Sequence, residues 1–179
     1  MFATLLCEAQ NDTFVDSRDG KIYKTVQIGK QVWMAQNLAF TDTLIEAVCY
    51  GNSSAVCDKY GALYTWYAAV ESCPKGWHLP SQIEFDSLIG KVAGDKKTAY
   101  NVLILGGGSG FDGLLGGYVS DLGLRGYHFI GLEKFGFYWT SSAKQSSADA
   151  SCFQFTTLQS AKMNKGKKGW LMSVRCVKD

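Results

Sequence analysis

The chain has 179 residues and a formal net charge of +2, and hydrophobic residues make up 46% of it against 19% for charged residues. This composition excludes a disordered chain and predicts one folded domain over residues 1–179. The small net charge argues against a nucleic-acid partner, and no apolar run reaches the roughly 18 residues that a membrane-spanning helix needs.

The first seven residues, from Met1 to Cys7, resemble the end of a lipoprotein signal, but the match is poor. No basic residue precedes the short apolar stretch, and Leu6 stands where a small residue is expected. We therefore expect an ordinary first strand here rather than a convincing signal peptide.

The next elements form a predicted hairpin. Residues 22–28 have three apolar side chains at even spacing, which predicts a strand with one apolar face: Ile22, Val26 and Ile28. Gly29 and Lys30 resemble a turn, and residues 31–34 return to an extended pattern. Further on, residues 60–70 pass from extended to helical character.

The clearest helix begins after Pro80. Ser81 and Glu84 have the spacing of a capping box, and Gly94 is a plausible stop. Between them, four apolar residues follow the helical period and predict a face that packs on the sheet: Phe85, Leu88, Ile89 and Val92.

The segment 106–118 is rich in glycine and allows two interpretations. A phosphate-binding loop would require a Lys-Ser/Thr ending and a strand-turn-helix unit, neither of which the sequence offers. Tight turns with close backbone packing are therefore the favoured interpretation.

The C-terminal third is predicted to be rich in strands, at 135–139, 152–155 and 170–177. In the last of these, four side chains share a face: Trp170, Met172, Val174 and Cys176. Residues 162–169 contain four lysines and glycine, and we interpret them as a solvated hairpin turn rather than a nucleic-acid surface: Lys162, Lys165, Lys167 and Lys168.

Seven segments together resemble a known family, the Fibrobacter succinogenes major paralogous domain, from about residue 20 to the C-terminus. They are IGKQVWMAQNL at 28–38, CY at 49–50, CDKYGALYTW at 57–66, CPKGWHLPS at 73–81, GGY at 116–118, YWTSS at 138–142 and SVRCVKD at 173–179. The resemblance implies an α+β, C-type-lectin-like fold with short, mostly antiparallel strands, one or two helices and long Gly-rich loops.

The resemblance also carries functional expectations. Members of the family are mostly secreted or surface proteins, so it implies a secreted, cell-surface or virion-surface location. Some members are targets of diversity-generating retroelements, which rewrite a C-terminal segment that then displays variable side chains. We therefore expect a non-enzymatic module that binds a protein or cell-surface ligand.

The six cysteines divide according to the same motifs. Cys49, Cys57, Cys73 and Cys176 lie inside them, and the resemblance implies a local Cys49–Cys57 disulfide and a long-range Cys73–Cys176 disulfide. Cys7 and Cys152 lie outside the motifs. A zinc site is the alternative, but seven residues between Cys49 and Cys57 are more than ligand pairs usually have. We expect no metal.

Enzymatic motifs are absent from the sequence: it has no Gly-x-Ser-x-Gly elbow and no His-Glu-x-x-His. We expect His78 to orient the turn before the capped helix, and His128 is isolated between aromatic residues. The resemblance also implies a relation to formylglycine-generating enzymes, so a copper-dependent oxidase or a degenerate relative is the alternative function. That chemistry needs a matched cysteine pair, and we expect no catalytic residue and no cofactor.

Calcium-dependent sugar binding also fits poorly, because the place of the Trp-Asn-Asp motif reads Trp170-Leu-Met-Ser173. A structural calcium near Asp112 has no supporting pattern.

The segment 141–168 departs most from the family pattern and is the candidate recognition surface. Strand alternation points Phe153 and Phe155 inward and the intervening side chains outward. The predicted ligand-binding residues are Ala143, Lys144, Gln145, Ser151, Cys152, Gln154, Thr156, Leu158 and Gln159. An ordinary solvated surface is the alternative.

Overall fold

The computed structural model describes residues 12–123 and 126–179. The strand expected in the first seven residues, and Cys7 with it, lie outside these ranges. Helices and strands are mixed along the described chain, and the strands pair mainly in antiparallel fashion, which confirms the α+β class. The described residues form four α-helices rather than one or two. Three of the four have only seven or eight residues, too few for a helical apolar period to stand out.

The helices and strands of the described ranges are all short. The helices are α1 (Ser54–Tyr60), α2 (Trp66–Ser72), α3 (Gln82–Val92) and α4 (Lys96–Leu103), with a single 3-10 turn at Tyr50–Asn52. The strands are β1 (Asp12–Val15), β2 (Ile22–Ile28), β3 (Gln31–Met34), β4 (Ala47–Val48), β5 (Leu63–Tyr64), β6 (Trp77–His78), β7 (Tyr118–Gly123), β8 (Gly126–Ile130), β9 (Phe135–Ala143), β10 (Asp149–Thr156), β11 (Ser160–Lys167), β12 (Met172–Ser173) and β13 (Val177–Lys178).

Two sheets and a separate hairpin organise these strands. The first sheet has the order β1-β2-β3-β13-β6, and the second has the order β11-β10-β9-β12-β5-β4. Strands β7 and β8 pair with each other. Because β12 and β13 belong to different sheets, the C-terminal segment links the two sheets.

The predicted N-terminal hairpin is confirmed by the antiparallel pairing of β2 with β3, in which Val26 lies opposite Trp33. Val26 and Ile28 are buried as expected, but Ile22 is 61% exposed. Ile22 lies opposite Val15 of the edge strand β1, where the core no longer covers that face of the sheet.

The second sheet corrects one prediction. Strands β9 and β10 contain the predicted segments 135–139 and 152–155, but residues 162–169 are not a hairpin turn. Residues 160–167 form β11, which pairs with β10 along its whole length, and the turn lies at residues 157–159. Lys162 and Lys165 are exposed on this edge strand, while Gly166 packs where a Cβ would meet Met172 and Trp139.

The predicted last strand is also divided. β12 and β13 are two-residue strands, and between them Val174 and Cys176 accept backbone hydrogen bonds from Leu38 and Met34. The four side chains expected on one face do lie in one core cluster with three of them fully buried. The intervening side chains are buried too, because the other face is also covered: Leu171, Ser173, Arg175 and Val177.

Helix α3 is anchored by the predicted capping box. The Ser81 hydroxyl accepts from the Glu84 backbone N–H at 3.3 Å, and the Glu84 carboxylate accepts from the Ser81 backbone N–H at 2.7 Å. Phe85 is fully buried, with its ring 4.9 Å from Phe153 and 5.0 Å from Trp33. Burial of such a side chain contributes roughly 1.5–3 kcal/mol. This packing places the first turn of α3 beside strands β9 and β10.

The Gly-rich segment consists of turns, as the sequence favours. Gly117 illustrates why glycine is needed there: its φ is +70°, and a Cβ would lie 2.6 Å from the Tyr50 ring. The segment ends in Gly116-Gly117-Tyr118, which leads directly into β7.

Candidate functional site

A large irregularity between β9 and β10 creates the candidate site. Cys152 lies opposite Trp139, and Ala150 lies opposite Ala143. Two positions along β10 therefore correspond to four positions along β9. The extra residues of β9 bulge away from β10, and bulges commonly redirect side chains next to functional sites. The Ser141 backbone N–H donates to Pro80 O at 2.8 Å instead of to β10.

The bulge opens a groove of about 730 Å³ between the end of the β9–β10 pair, the edge strand β11 and the start of α3. We call it the bulge groove. Its ten lining residues are mainly small and polar, with two lysines and one aspartate: Gln82, Ser141, Ser142, Ala143, Lys144, Ser147, Asp149, Ala150, Ser151 and Lys165.

Hydrogen bonds join the helix to the floor of the bulge groove. The Gln82 backbone N–H donates to the Ser142 hydroxyl at 2.9 Å, and the Ser151 hydroxyl donates to Gln82 Oε1 at 3.0 Å. The Gln82 amide nitrogen donates to no group of the two described ranges. This arrangement leaves one side-chain donor of Gln82 available to a bound molecule.

A buried lysine holds the wall of the bulge groove. Lys168 is only 5% exposed, and its ammonium donates to Lys144 O at 3.4 Å and lies 4.5 Å from the centroid of the Trp66 ring. Trp66 in turn donates from Nε1 to Thr140 O at 2.9 Å. The solvated position expected for Lys168 is therefore wrong, because its aliphatic stem and ammonium cover an indole ring.

The comparison with known families matches most of the chain. The family model described as the Fibrobacter succinogenes major domain matches residues 26–178. The chain belongs to that family. No curated protein and no solved structure matches it. The matched range includes all the residues that line the bulge groove.

The predicted ligand-binding residues lie in several places. Ala143, Lys144 and Ser151 line the bulge groove, and Gln145 is exposed in the loop that follows Lys144. At the opposite end of the β10–β11 pair, the turn carries Leu158, which is 88% exposed, and Gln159. Eight residues of β10 separate the two ends by roughly 23 Å. The predicted residues therefore do not form one face.

The remaining three predicted residues lie on the other face of β10. Gln154 is half-buried and accepts a hydrogen bond from the Asn164 side chain at 2.9 Å. Cys152 is fully buried and Thr156 is 8% exposed, so the expectation that they point to solvent is wrong. Alternation correctly separates them from Phe153 and Phe155, but both faces of the sheet are covered by core clusters.

Seven lining residues are not among those predicted from the sequence, although all but the first lie in the predicted segment 141–168: Gln82, Ser141, Ser142, Ser147, Asp149, Ala150 and Lys165. Gln82 is 69 residues from Ser151, so only the fold brings them together. The capping box at Ser81 gives a partial signal, because it fixes where α3 begins. Because the sequence predicts a turn at 162–169, it does not predict that Lys165 lies on an edge strand.

The cysteines of the domain are largely committed to structure. The expected Cys49–Cys57 and Cys73–Cys176 disulfides are both present, with Cα atoms 5.1 Å and 5.9 Å apart. Cys152 is not bonded to another cysteine, and burial raises the pKa of its thiol to about 12. A thiol that remains protonated at neutral pH is a poor nucleophile and a poor metal ligand.

His78 lies outside the bulge groove, between two carboxylates. Its Nδ1 is 2.7 Å from Asp179 Oδ1, and its Nε2 is 2.9 Å from Glu84 Oε1. Partial burial opposes the charge, but both hydrogen bonds and both carboxylate charges outweigh it and raise the pKa of His78. The His78 ring thus joins Asp179, which follows β13, to the capping-box residue Glu84 of α3.

Asp112 has an arrangement of its own. Its side chain accepts from the Gly106 backbone N–H at 3.2 Å, and its carbonyl accepts from the Arg175 guanidinium at 3.1 Å. Across the two described ranges, no group of three or more His, Cys, Asp or Glu side chains has a metal-binding arrangement.

In the same ranges, no helix is long and apolar enough to cross a membrane.

Proposed function

We propose that this domain is a non-enzymatic binding module and that the bulge groove recognises a protein or cell-surface ligand. The observation that carries the proposal is the convergence of β9, β10, β11 and α3 on one polar concavity. Three residues predicted from the sequence line it, at a strand irregularity that the neighbouring side chains stabilise. Ligand sites are usually concave, with polar groups that fix the orientation of the ligand.

The alternative, an oxidase of the formylglycine-generating type, has less support. That chemistry needs a matched pair of free cysteines, and four cysteines are committed to disulfides. Cys152 is a single buried thiol. These observations favour the binding role.

For the finer fold, we infer a C-type-lectin-like domain, as the family resemblance implies. The mixture of short antiparallel strands, helices and long Gly-rich turns supports it. Two disulfides are compatible with the oxidising surroundings of a secreted or surface protein, which supports an extracellular, cell-surface or virion-surface location.

Diversification by a retroelement is a further part of this proposal. It requires a reverse-transcriptase gene near the coding sequence and a near-copy of the segment that encodes the C-terminus. The differences between the two copies must fall at adenines of the template. Sequencing of the flanking DNA tests this part independently, because an undiversified groove still binds a ligand.

A groove-filling variant tests the binding role. Ser151→Trp places an indole in the bulge groove, and Lys162→Trp places one on the opposite face of the same sheet as a matched control. Fluorescent tetramers of the domain are applied to intact bacterial cells and to a glycan array, after thermal melting confirms that both variants fold. We expect Ser151→Trp to lose binding and Lys162→Trp to retain it. Equal binding by the two variants would contradict the proposal.

A further inference from the structure

The charges of the chain are distributed unevenly around the bulge groove. Residues 134–178 contain eight of the 18 basic residues but only one of the 16 acidic residues, Asp149. The rest of the chain therefore carries an acidic excess that the small net charge conceals. Two of the eight basic residues, Lys168 and Arg175, are buried. The other six are exposed, so the surface of this segment attracts anions.

Two of these cations border the bulge groove from different strands. Lys144 follows the end of β9, and Lys165 lies on the edge strand β11. Both are exposed, and neither forms an ion pair with a described residue. The contact between Lys168 and the Lys144 carbonyl fixes the backbone that presents Lys144. The two ammonium groups are thus available to a bound anion.

The other lining groups restrict the chemistry of that anion. Serine hydroxyls and the Gln82 amide donate and accept hydrogen bonds, but the Asp149 carboxylate only accepts. The side chains of an acidic peptide offer only acceptors, so the peptide has only its backbone N–H groups for Asp149. Single-stranded nucleic acid binds through aromatic stacking, and none of the described lining residues is aromatic.

An acidic sugar supplies both an anionic group and hydrogen-bond donors. Its carboxylate matches the lysines, and its hydroxyl groups donate to Asp149 and exchange hydrogen bonds with the serines. We infer that the bulge groove binds saccharides that contain uronic acid, with Lys144 and Lys165 on the sugar carboxylates and Asp149 on the hydroxyl groups. This inference rests on the proposed function and names the ligand class of the same site.

Calorimetric titration with trigalacturonate tests the inference, with the fully methyl-esterified trisaccharide as a neutral probe. We expect the acidic trisaccharide alone to bind, and Lys144→Gln and Lys165→Gln each to weaken binding about tenfold, because each removes a charge-assisted hydrogen bond. Lys162→Gln is the matched control, since Lys162 is exposed on the same strand but on its opposite face. It should leave the affinity unchanged.

Several results would overturn the inference. Equal losses in Lys162→Gln and Lys165→Gln would indicate general attraction to a basic surface. Equal affinity for the neutral trisaccharide, for hexaglutamate or for oligo(dT) would assign a different ligand class. Failure of trigalacturonate to bind, together with cell or array binding that Ser151→Trp abolishes, would reject the uronate and leave the proposed function standing. Failure of both measurements would reject both.

Discussion

Asn37 and Arg175 meet in the interior of the domain, where Asn37 Oδ1 accepts from Arg175 Nε at 3.1 Å and from Nη2 at 2.6 Å. Both residues are buried, and Arg175 is completely enclosed. The guanidinium also donates to the carbonyls of Phe111 and Asp112 and lies 4.4 Å from the Phe111 ring centroid. It has no carboxylate partner in the described ranges, and burial lowers its pKa. Arg175 therefore ties the Gly-rich turns to the C-terminal segment.

Replacement of Arg175 tests this connection. Arg175→Lys keeps the charge but cannot reproduce the fork of donors, so several buried acceptors lose their partners. We expect a loss of about 3 kcal/mol in the free energy of unfolding, measured by urea denaturation. Lys178→Gln, at an exposed position three residues away, should change it by less than about 0.5 kcal/mol. A loss in Arg175→Lys no larger than that in the control would contradict the proposed connection.

The two disulfides should contribute unequally. Cys73–Cys176 spans 103 positions, whereas Cys49–Cys57 spans 8. On the chain-entropy model, the long bridge stabilises by about 4.7 kcal/mol and the short one by about 2.5 kcal/mol. We expect Cys73→Ala/Cys176→Ala to lower the urea midpoint more than Cys49→Ala/Cys57→Ala. Equal losses would show that strain or structure in the unfolded chain governs both bridges.

Two glycines with positive φ differ in how much a side chain would cost. Gly20 has φ +74° and open space around it, whereas Gly61 has φ +77° with ψ 179°, a region essentially restricted to glycine, and is also crowded. A Cβ on Gly61 would lie 2.6 Å from Asn37 Cβ and 2.8 Å from Leu38 O. Gly20→Ala should therefore cost about 1 kcal/mol from backbone strain alone, and Gly61→Ala should cost at least about 3 kcal/mol.

Thermal melting of the two glycine variants measures this difference. Gly61 follows Tyr60, whose carbonyl accepts from the Asn37 side chain at 2.8 Å, so movement there also disturbs the partner of Arg175. A similar drop in the melting temperature of both variants would mean that the Asn37 segment relaxes without cost.

Local sequence patterns predict the structure correctly where residues close together in the sequence determine it. The Ser81–Glu84 capping box and the hairpin at Gly29 need only contacts within a few residues, and both are present. The contact between Gln82 and Ser151 is different, since 69 residues separate them and no local pattern links the two. The alternation of side chains along a strand has a related limit. It assigns Cys152 to the correct face of β10, but it does not predict that Trp139 and its neighbours bury that face.

His78 should make stability depend on pH, because its two carboxylate contacts favour the charged ring. A pKa raised in the folded domain means that the folded state binds the proton more tightly than the unfolded chain does. The stabilisation from His78 is therefore complete below its ordinary pKa of 6.5 and is lost as the pH rises through the raised folded value. For Glu84, partial burial acts to raise the pKa, but hydrogen bonds from Ser81 and His78 outweigh it and lower the pKa. Its stabilisation is present above the ordinary 4.5 and is lost in acid.

The melting temperature from pH 5.5 to 9 measures the effect. The His78 side chain is 41% exposed, so solvent screening reduces its contribution. We expect the wild-type domain to lose about 1–2 °C more than His78→Gln as the pH rises across this range. His128→Gln is the matched control, because His128 lies exposed on β8 and should leave the wild-type profile intact. Parallel profiles for the wild type and His78→Gln would mean that the contacts with Asp179 and Glu84 do not depend on protonation of the ring.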